Sequence, residues 1–530
     1  MSQLTRAAHW SALMLLASAA LFPLYAVAQS QATNPILYAD VPDVALLRVG
    51  DDYYMSSTTM HMTPGVPIMR SKNLVDWNLI GYAYDVLERN DALELQDGKN
   101  AYGAGSWASS LRYRDGVFYL ATFSGTTGKT YIYSTRDPSG KWDCKSFEPM
   151  CHDCSLFFDD DGRAYLFYGS GDIRLTELAD DLSGFKPGGV NLVAIKNASA
   201  AAGSNIGLPA EGTQVFKRNG KYYVCNIVWP RNDMRMEIVH RADSIEGPYE
   251  GRVFIRNRGI AQGTIFEGTD GEWFALFFRD SGAVGRIPYL LKVEWRDDWP
   301  VPADNGKFPD TLPIVHDADA SPLGNIIGND EFSDPDALAD YASAGPWQWN
   351  HNPDPDGWSL KARPGWLRLA PQRLDSVVTQ ARNTLTQRTF GPTSSGATAL
   401  DPRGLKDGDV AGILLLQRRY GYVGVTRRNG KLHVVQAQAN ERDELVENDA
   451  VPLEGEPTSI QLRAKCDFRE RRDLAQFEWS RDGKIWEPIG TPLQMFYTLP
   501  HFMGYRFGLF CQATQTIGGV ADFDYFHIER

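Results

Sequence analysis

Three carboxylates recur at one position of a repeated phrase. Asp43, Asp153 and Glu211 each open a stretch that runs through an apolar segment and an acidic or glycine turn to an aromatic pair; Trp107 and Gln262 open two further copies. Carboxylates that face one another can divide the work of acid and base. One that stays ionised deprotonates a water. One that stays protonated delivers its proton to a leaving oxygen, and a gap of roughly 6.5–9.5 Å between the two admits the water of an inverting glycosidic cleavage. A third carboxylate raises the acid's pKa by like-charge repulsion and orients it. The competing reading of the same residues is that Asp and Glu open strands as turn or capping groups.

The elements that must position these residues are hairpins. From leading residue to turn glycine the offset is 9 in four copies (107 to 116, 153 to 162, 211 to 220, 262 to 271) and 7 in the first (43 to 50). Asp-Gly or Asn-Gly between apolar runs supplies the positive φ angles of tight turns, so each copy is expected to be strand–turn–strand. Five such copies suggest a radial array, which brings the leading residues together near one axis. No helix of the length a parallel α/β fold needs is evident between them. The spacing therefore predicts a five-bladed β-propeller over residues 34–315.

A composition shift at 316–330 (DADASPLGNIIGND, 317–330) marks a linker, and residues 331–530 again alternate as strands, with an Asn-Gly hairpin inside GDVAGILLLQRRYGYVGVTRRNGKLHVVQAQ (408–438). A β-sandwich is expected there. Residues 1–28 have the features of a signal peptide: Arg6, the apolar run 11–28 and a small-x-small site at Ala26-Val27-Ala28. The mature chain is then expected to be periplasmic or secreted and free of the membrane. The net charge of −13 becomes one unit more negative without Arg6, so nucleic acid is a poor partner. The basic run 469–472 is flanked by acids.

The segment 34–315 resembles glycoside hydrolase family 43, the five-bladed propeller enzymes that include β-xylosidases and α-L-arabinofuranosidases. The resemblance is carried by NPILYADVPDVALLRVGDDYYMSSTT (34–59), PGVPIMRSKNLVDW (64–77), HDCSLFFDDDGRAYLFYGSGDI (152–173), EGTQVFKRNGKYYV (211–224) and GEWFALFFRDSGAVGRIPYLLKVEWRDDWPV (271–301). GPWQWNHNPD (345–354), RNTLTQRTFG (382–391) and the tail 504–528 resemble the concanavalin A-like jelly-roll sandwich that follows the propeller in one branch of that family. The resemblance implies Asp43 as general base, with Asp40 as its rival, Asp153 as pKa modulator and Glu211 as general acid. It implies that Arg286 reaches the site, a structural ion pair being the alternative.

Gln262 stands where many relatives place His near a central cation, and an amide ligates metal more weakly than imidazole, so no tight metal is expected. Trp107 is either a wall of the pocket or core. His61 and Met60 stand where xylosidase-like relatives carry bulky aromatics, which tilts the expectation toward an arabinofuranosyl pocket. The second domain is expected to lend an aromatic such as Trp349 to the rim. Asp330 or Glu331 with Asp522 or Asp524 offer oxygen ligands for a structural calcium, ordinary turn acids being the alternative. No cofactor is required. Cys144, Cys151 and Cys154 lie close enough in sequence for one disulfide among them. The expected function is an exported inverting exo-glycosidase acting on terminal pentoses of hemicellulose side chains or oligosaccharides. A binding-only propeller and an endo-arabinanase are the alternatives.

Overall fold

In each of the five phrases the turn glycine takes a positive φ: Gly50 60°, Gly116 78°, Gly162 91°, Gly220 76° and Gly271 80°. At Asp115-Gly116 and Asn219-Gly220 both central residues are left-handed, the backbone that matches the twist of a two-residue hairpin. These turns join the two inner strands of five antiparallel four-stranded sheets. Their innermost strands are Ala45–Val49, Ser110–Arg114, Ser155–Phe158, Ile206–Arg218 and Ala261–Glu267. Each packs against the next and the fifth returns to the first, closing a five-bladed ring. The computed structural model describes residues 29–317, 323–338 and 345–529, so the expected leader, 1–28, lies outside the described residues.

The ring is latched by the N-terminal segment. Gln29–Thr33 pairs antiparallel with Thr311–Asp317. Asn34 donates to the carbonyls of Leu290 and Pro309 and accepts from the Leu290 amide, which fixes the entry to the first blade against the fifth.

Residues beyond 345 form two facing antiparallel sheets. One runs in the order Leu445–Pro452, Lys431–Ala439, Gly421–Arg428, Asp409–Leu416, Arg506–Ala513, Leu385–Arg388 and Gln348–Asn350. Its last strand is Met62–Thr63, donated by the first blade. A single buried apolar cluster extends from blades four and five (Tyr223, Phe277, Val284) into the sandwich (Trp349, Ile413, Phe507). The expected linker is not a loose tether where it is described. Leu323, Ile326 and Ile327 are buried against the propeller, and Asn325 exchanges hydrogen bonds with the backbone of Leu79.

All six cysteines are free, Cys144 exposed and Cys151 and Cys154 buried, which corrects the expected disulfide. The Cys151 thiol instead faces the Pro149 carbonyl at 3.7 Å, while Cys144 stands on the outer strand of the second blade opposite Tyr133. Three of the four acids considered for calcium are engaged by protein donors. Asp522 is clasped by Arg368 and bonded by Arg363. Asp330 accepts from the Phe332 amide and the Trp347 indole, and Glu331 pairs with His527 at 2.5 Å.

Candidate active site

Asp43, Trp107, Asp153 and Gln262 sit at or just ahead of the start of their innermost strands and Glu211 inside the longer fourth one, and all five line one cavity of ≈ 500 Å³. Asp43, Asp153 and Gln262 hold left-handed backbones (φ 51°, 48° and 60°), a conformation that non-glycine residues adopt rarely and that concentrates at functional sites. Gly212, at φ 66°, follows Glu211; a Cβ there would fall 2.7 Å from the Gln262 side chain. Its bare amide donates to Asp153 Oδ2 at 2.8 Å. Glycine at this position therefore lets the third, fourth and fifth leaders converge.

Asp43 is 4% exposed. Arg286 Nη1 donates to its Oδ1 at 2.7 Å, and the Thr58 hydroxyl to its Oδ2 at 2.6 Å. Burial raises the Asp43 pKa, while the guanidinium and the hydroxyl pull the other way. Burial also works against the charge on Arg286, but the pairing with Asp43 outweighs it and raises that pKa. Arg286 is thus both a cavity wall and an ion pair, so the two readings of this residue hold together. Asp40, the rival to Asp43, does not line the cavity. Its carboxylate accepts the amides of Arg286 and Gly504 (2.7 and 2.9 Å), stapling the sandwich to the propeller.

Across the cavity, His152 bridges the other two acids. Its Nε2 lies 3.1 Å from Glu211 Oε2 and 3.8 Å from Asp153 Oδ2, and the Ser170 hydroxyl donates to Glu211 at 3.1 Å. Burial, then repulsion from Glu211 and Asp43, pushes Asp153 up to about 7 against the attraction of His152. Burial would lower His152, but the hydrogen bond to Glu211 and the charges of Asp153, Glu211 and Asp43 raise it to about 9. Among the described residues, His152, Asp153 and Glu211 form the one group whose ligand atoms lie within 4.8 Å of one another. Protein donors, the Gly212 amide and the Ser170 hydroxyl, already address both carboxylates. The donor pattern is that of a hydrogen-bonded acid pair. At the fifth position the Gln262 amide is held by Glu237 Oε2 at 2.8 Å, and burial raises the Glu237 pKa well above the carboxylate range.

Two sequence expectations are corrected. His61 is turned away from the cavity because Met62–Thr63 leaves the first blade to pair with Trp349 and Asn350. Its ring is buried against Tyr102 and His351, each 4.6 Å away, and burial pushes its pKa well down. Trp349 is itself strand-paired, and it packs on Trp358 at 5.3 Å in the core. The aromatic that the second domain does supply is Phe502, with Leu499 beside it. Phe502 lies 4.9 Å from the Trp107 ring and under the Arg286 guanidinium at 4.7 Å. Sequence reasoning missed both, along with His152, Trp229, Arg231 and Arg235, which also line the cavity. His152 carried a usable signal, since it immediately precedes Asp153; Phe502 carried none.

Comparison with known proteins agrees with this geometry. The family described as "Glycosyl hydrolases family 43" matches residues 32–300, and "Beta xylosidase C-terminal Concanavalin A-like domain" matches 330–529. A beta-xylosidase of Formosa agariphila is 28% identical over 93% of this chain and 89% of its own length. A solved structure described as bifunctional GH43-CE from Bacteroides eggerthii is 54% identical with a TM-score of 0.91; the match covers 95% of this chain but 64% of that one. A second, described as a GH43 enzyme engineered to display both endo-xylanase and exo-arabinofuranosidase activity, is 28% identical over 94% of this chain and the whole of that one, with a TM-score of 0.83.

Proposed function

The chain belongs to glycosyl hydrolase family 43, and on that premise we propose that this glycoside hydrolase is an exported, inverting exo-enzyme. It removes a terminal β-D-xylosyl or α-L-arabinofuranosyl residue from hemicellulose side chains or oligosaccharides. The observation that carries this reading is the division of the cavity into two carboxylate environments. Asp43 is buried against Arg286 and Thr58, which favour its charged form. Burial makes it more basic than an exposed aspartate, as suits a general base. Glu211 faces it from a cluster in which burial pushes the neighbouring Asp153 up to about 7.

In this mechanism Asp43 takes a proton from a water as its oxygen bonds to the anomeric carbon. The glycosidic C–O bond breaks, and the Glu211 proton goes to the leaving oxygen. Asp153 tunes Glu211 through the His152 that the two carboxylates share, and exchange with solvent then moves the proton from Asp43 back to Glu211. Water attacks the face opposite the leaving group, so the configuration inverts.

Exo action is favoured over an open endo cleft by Phe502 and Leu499, which the second domain sets into the cavity wall. A binding-only role is disfavoured because all three carboxylates line the same cavity. The His61 ground for an arabinofuranosyl preference falls with its placement in the domain interface, leaving the two pentoses on an equal footing. The paired test is hydrolysis of aryl β-D-xyloside and aryl α-L-arabinofuranoside by the wild type, Asp43→Asn and Glu211→Gln. Turnover of at least one, lost in Asp43→Asn, is expected. Binding of both without release of sugar would establish the binding-only reading instead.

A further inference from the structure

The inner hairpin of blade four is longer than its counterparts. Its strands Ile206–Arg218 and Lys221–Pro230 have 13 and 10 residues, whereas the innermost strands of the other blades have 4 to 7. The excess projects past Glu211. In the register Glu211 pairs with Ile227 and Leu208 with Trp229. A register shift lies between these pairs, so Trp229 stands two residues beyond Ile227, roughly 7 Å further along the strand than Glu211.

Trp229 lines the cavity yet is 42% exposed, unusual for so large an apolar ring. It is held in place. Its indole N–H donates to the Asp233 carbonyl at 2.9 Å, and the Arg235 guanidinium lies 5.0 Å from its ring. Arg235 is neutralised by Asp280. Arg231, two residues beyond Trp229, also lines the cavity, but it has no ion pair or side-chain hydrogen bond among the described residues. The glycine at 207 leaves it room, since a Cβ there would meet the Arg231 side chain at 3.4 Å.

We propose that Trp229 and Arg231 form a leaving-group subsite for an acidic sugar: the ring stacks on Trp229, and a carboxylate of the leaving group is taken by Arg231. This rests on the assignment of Glu211 as the acid, because the acid marks the side on which the leaving group departs. The chemistry fits a free cation at the rim. Deeper in, Arg286 is consumed by Asp43, and the carboxylates there would repel an anion. On a chain of net charge −13, an unpaired arginine beside a presented aromatic favours a uronosyl-type unit next to the pentose removed.

The test uses the full chain and two glycosides of the accepted pentose that differ in charge and little in size, 4-carboxyphenyl and 4-carbamoylphenyl. A charge-assisted hydrogen bond at a partly exposed site predicts a kcat/KM five- to tenfold higher for the carboxylate at low salt, by order of magnitude. The preference should fade in concentrated salt. Arg231→Gln should abolish it by lowering kcat/KM for the carboxylate substrate far more than for the carbamoyl one, and Trp229→Ala should weaken both alike. Equal rates in the wild type, or a preference that survives in Arg231→Gln, overturn the inference and leave the glycosidase reading standing. If neither glycoside is turned over, that reading fails instead. Calorimetric binding of the two compounds to wild type and Arg231→Gln then decides the subsite, equal affinities overturning it.

Discussion

Replacing Asp153 with asparagine separates the charge of this side chain from its shape. The amide keeps an acceptor for the Gly212 amide, 2.8 Å away in the wild type, but it cannot ionise. Asp153 titrates near 3.8 in an ordinary setting and at about 7 here. At 1.36 kcal/mol per pH unit the gap corresponds to roughly 4 kcal/mol. A carboxyl whose pKa is higher in the folded chain binds its proton more tightly there. Its stabilising contribution is full below pH 4 and is lost as the pH rises through 7. His152, raised to about 9 by the same carboxylates, adds a loss of the same sign between about pH 6.5 and 9. The variant should therefore melt only slightly above the wild type at pH 5 and further above it at pH 8. Unfolding entropy is about 2.1 cal/mol/K per residue, so a chain of this size should show a gap of about 4 °C. Thermal melts at pH 5, 6, 7 and 8 measure it. A difference that stays constant over that range would refute the assignment of a neutral, burial-raised Asp153.

Three further substitutions probe other parts of the site. Glu211→Ala should cost about 10²- to 10⁴-fold on substrates with poor leaving groups and far less on those that need little protonation; equal losses in steady-state rates would count against its role as acid. Phe502→Ala removes the wall the second domain sets against Trp107 and Arg286. It should lower kcat/KM about tenfold or more, mainly through KM, with little change in melting temperature. Gly212→Ala forces a left-handed alanine and a Cβ into Gln262, so denaturant unfolding should show about 1–3 kcal/mol of destabilisation together with loss of activity.

The propeller was legible because its signal is local and repeated. An Asn-Gly or Asp-Gly turn after an apolar strand specifies a hairpin wherever it occurs, and four such copies with a fifth on a shorter turn supply the ring. The same phase placed all five leaders on one cavity. What sequence did not carry is whatever the second domain decides. Phe502 lies in an aperiodic stretch, and only the packing of Gly504 on Asp40 brings it to Trp107 and Arg286. His61 and Trp349 were misplaced for one shared reason. Met62–Thr63 adds as an edge strand to the sandwich, a long-range pairing that buries both residues and that two residues of sequence cannot announce. Asp40 and Asp43 look alike in sequence. Their different fates follow from which one meets backbone amides and which meets a guanidinium and a hydroxyl. Unlike these, His152 was visible, yet beside Cys151 and Cys154 its neighbours suggested a disulfide rather than a bridge between two acids.

Inversion is the consequence that depends most directly on Asp43 activating water opposite Glu211. Proton NMR of the sugar released in the first minutes of hydrolysis, before mutarotation, reads the anomer formed. The account predicts the inverted anomer, α-D-xylose from a β-D-xyloside or β-L-arabinose from an α-L-arabinofuranoside. A retained first product would require a covalent glycosyl–enzyme intermediate and would contradict it.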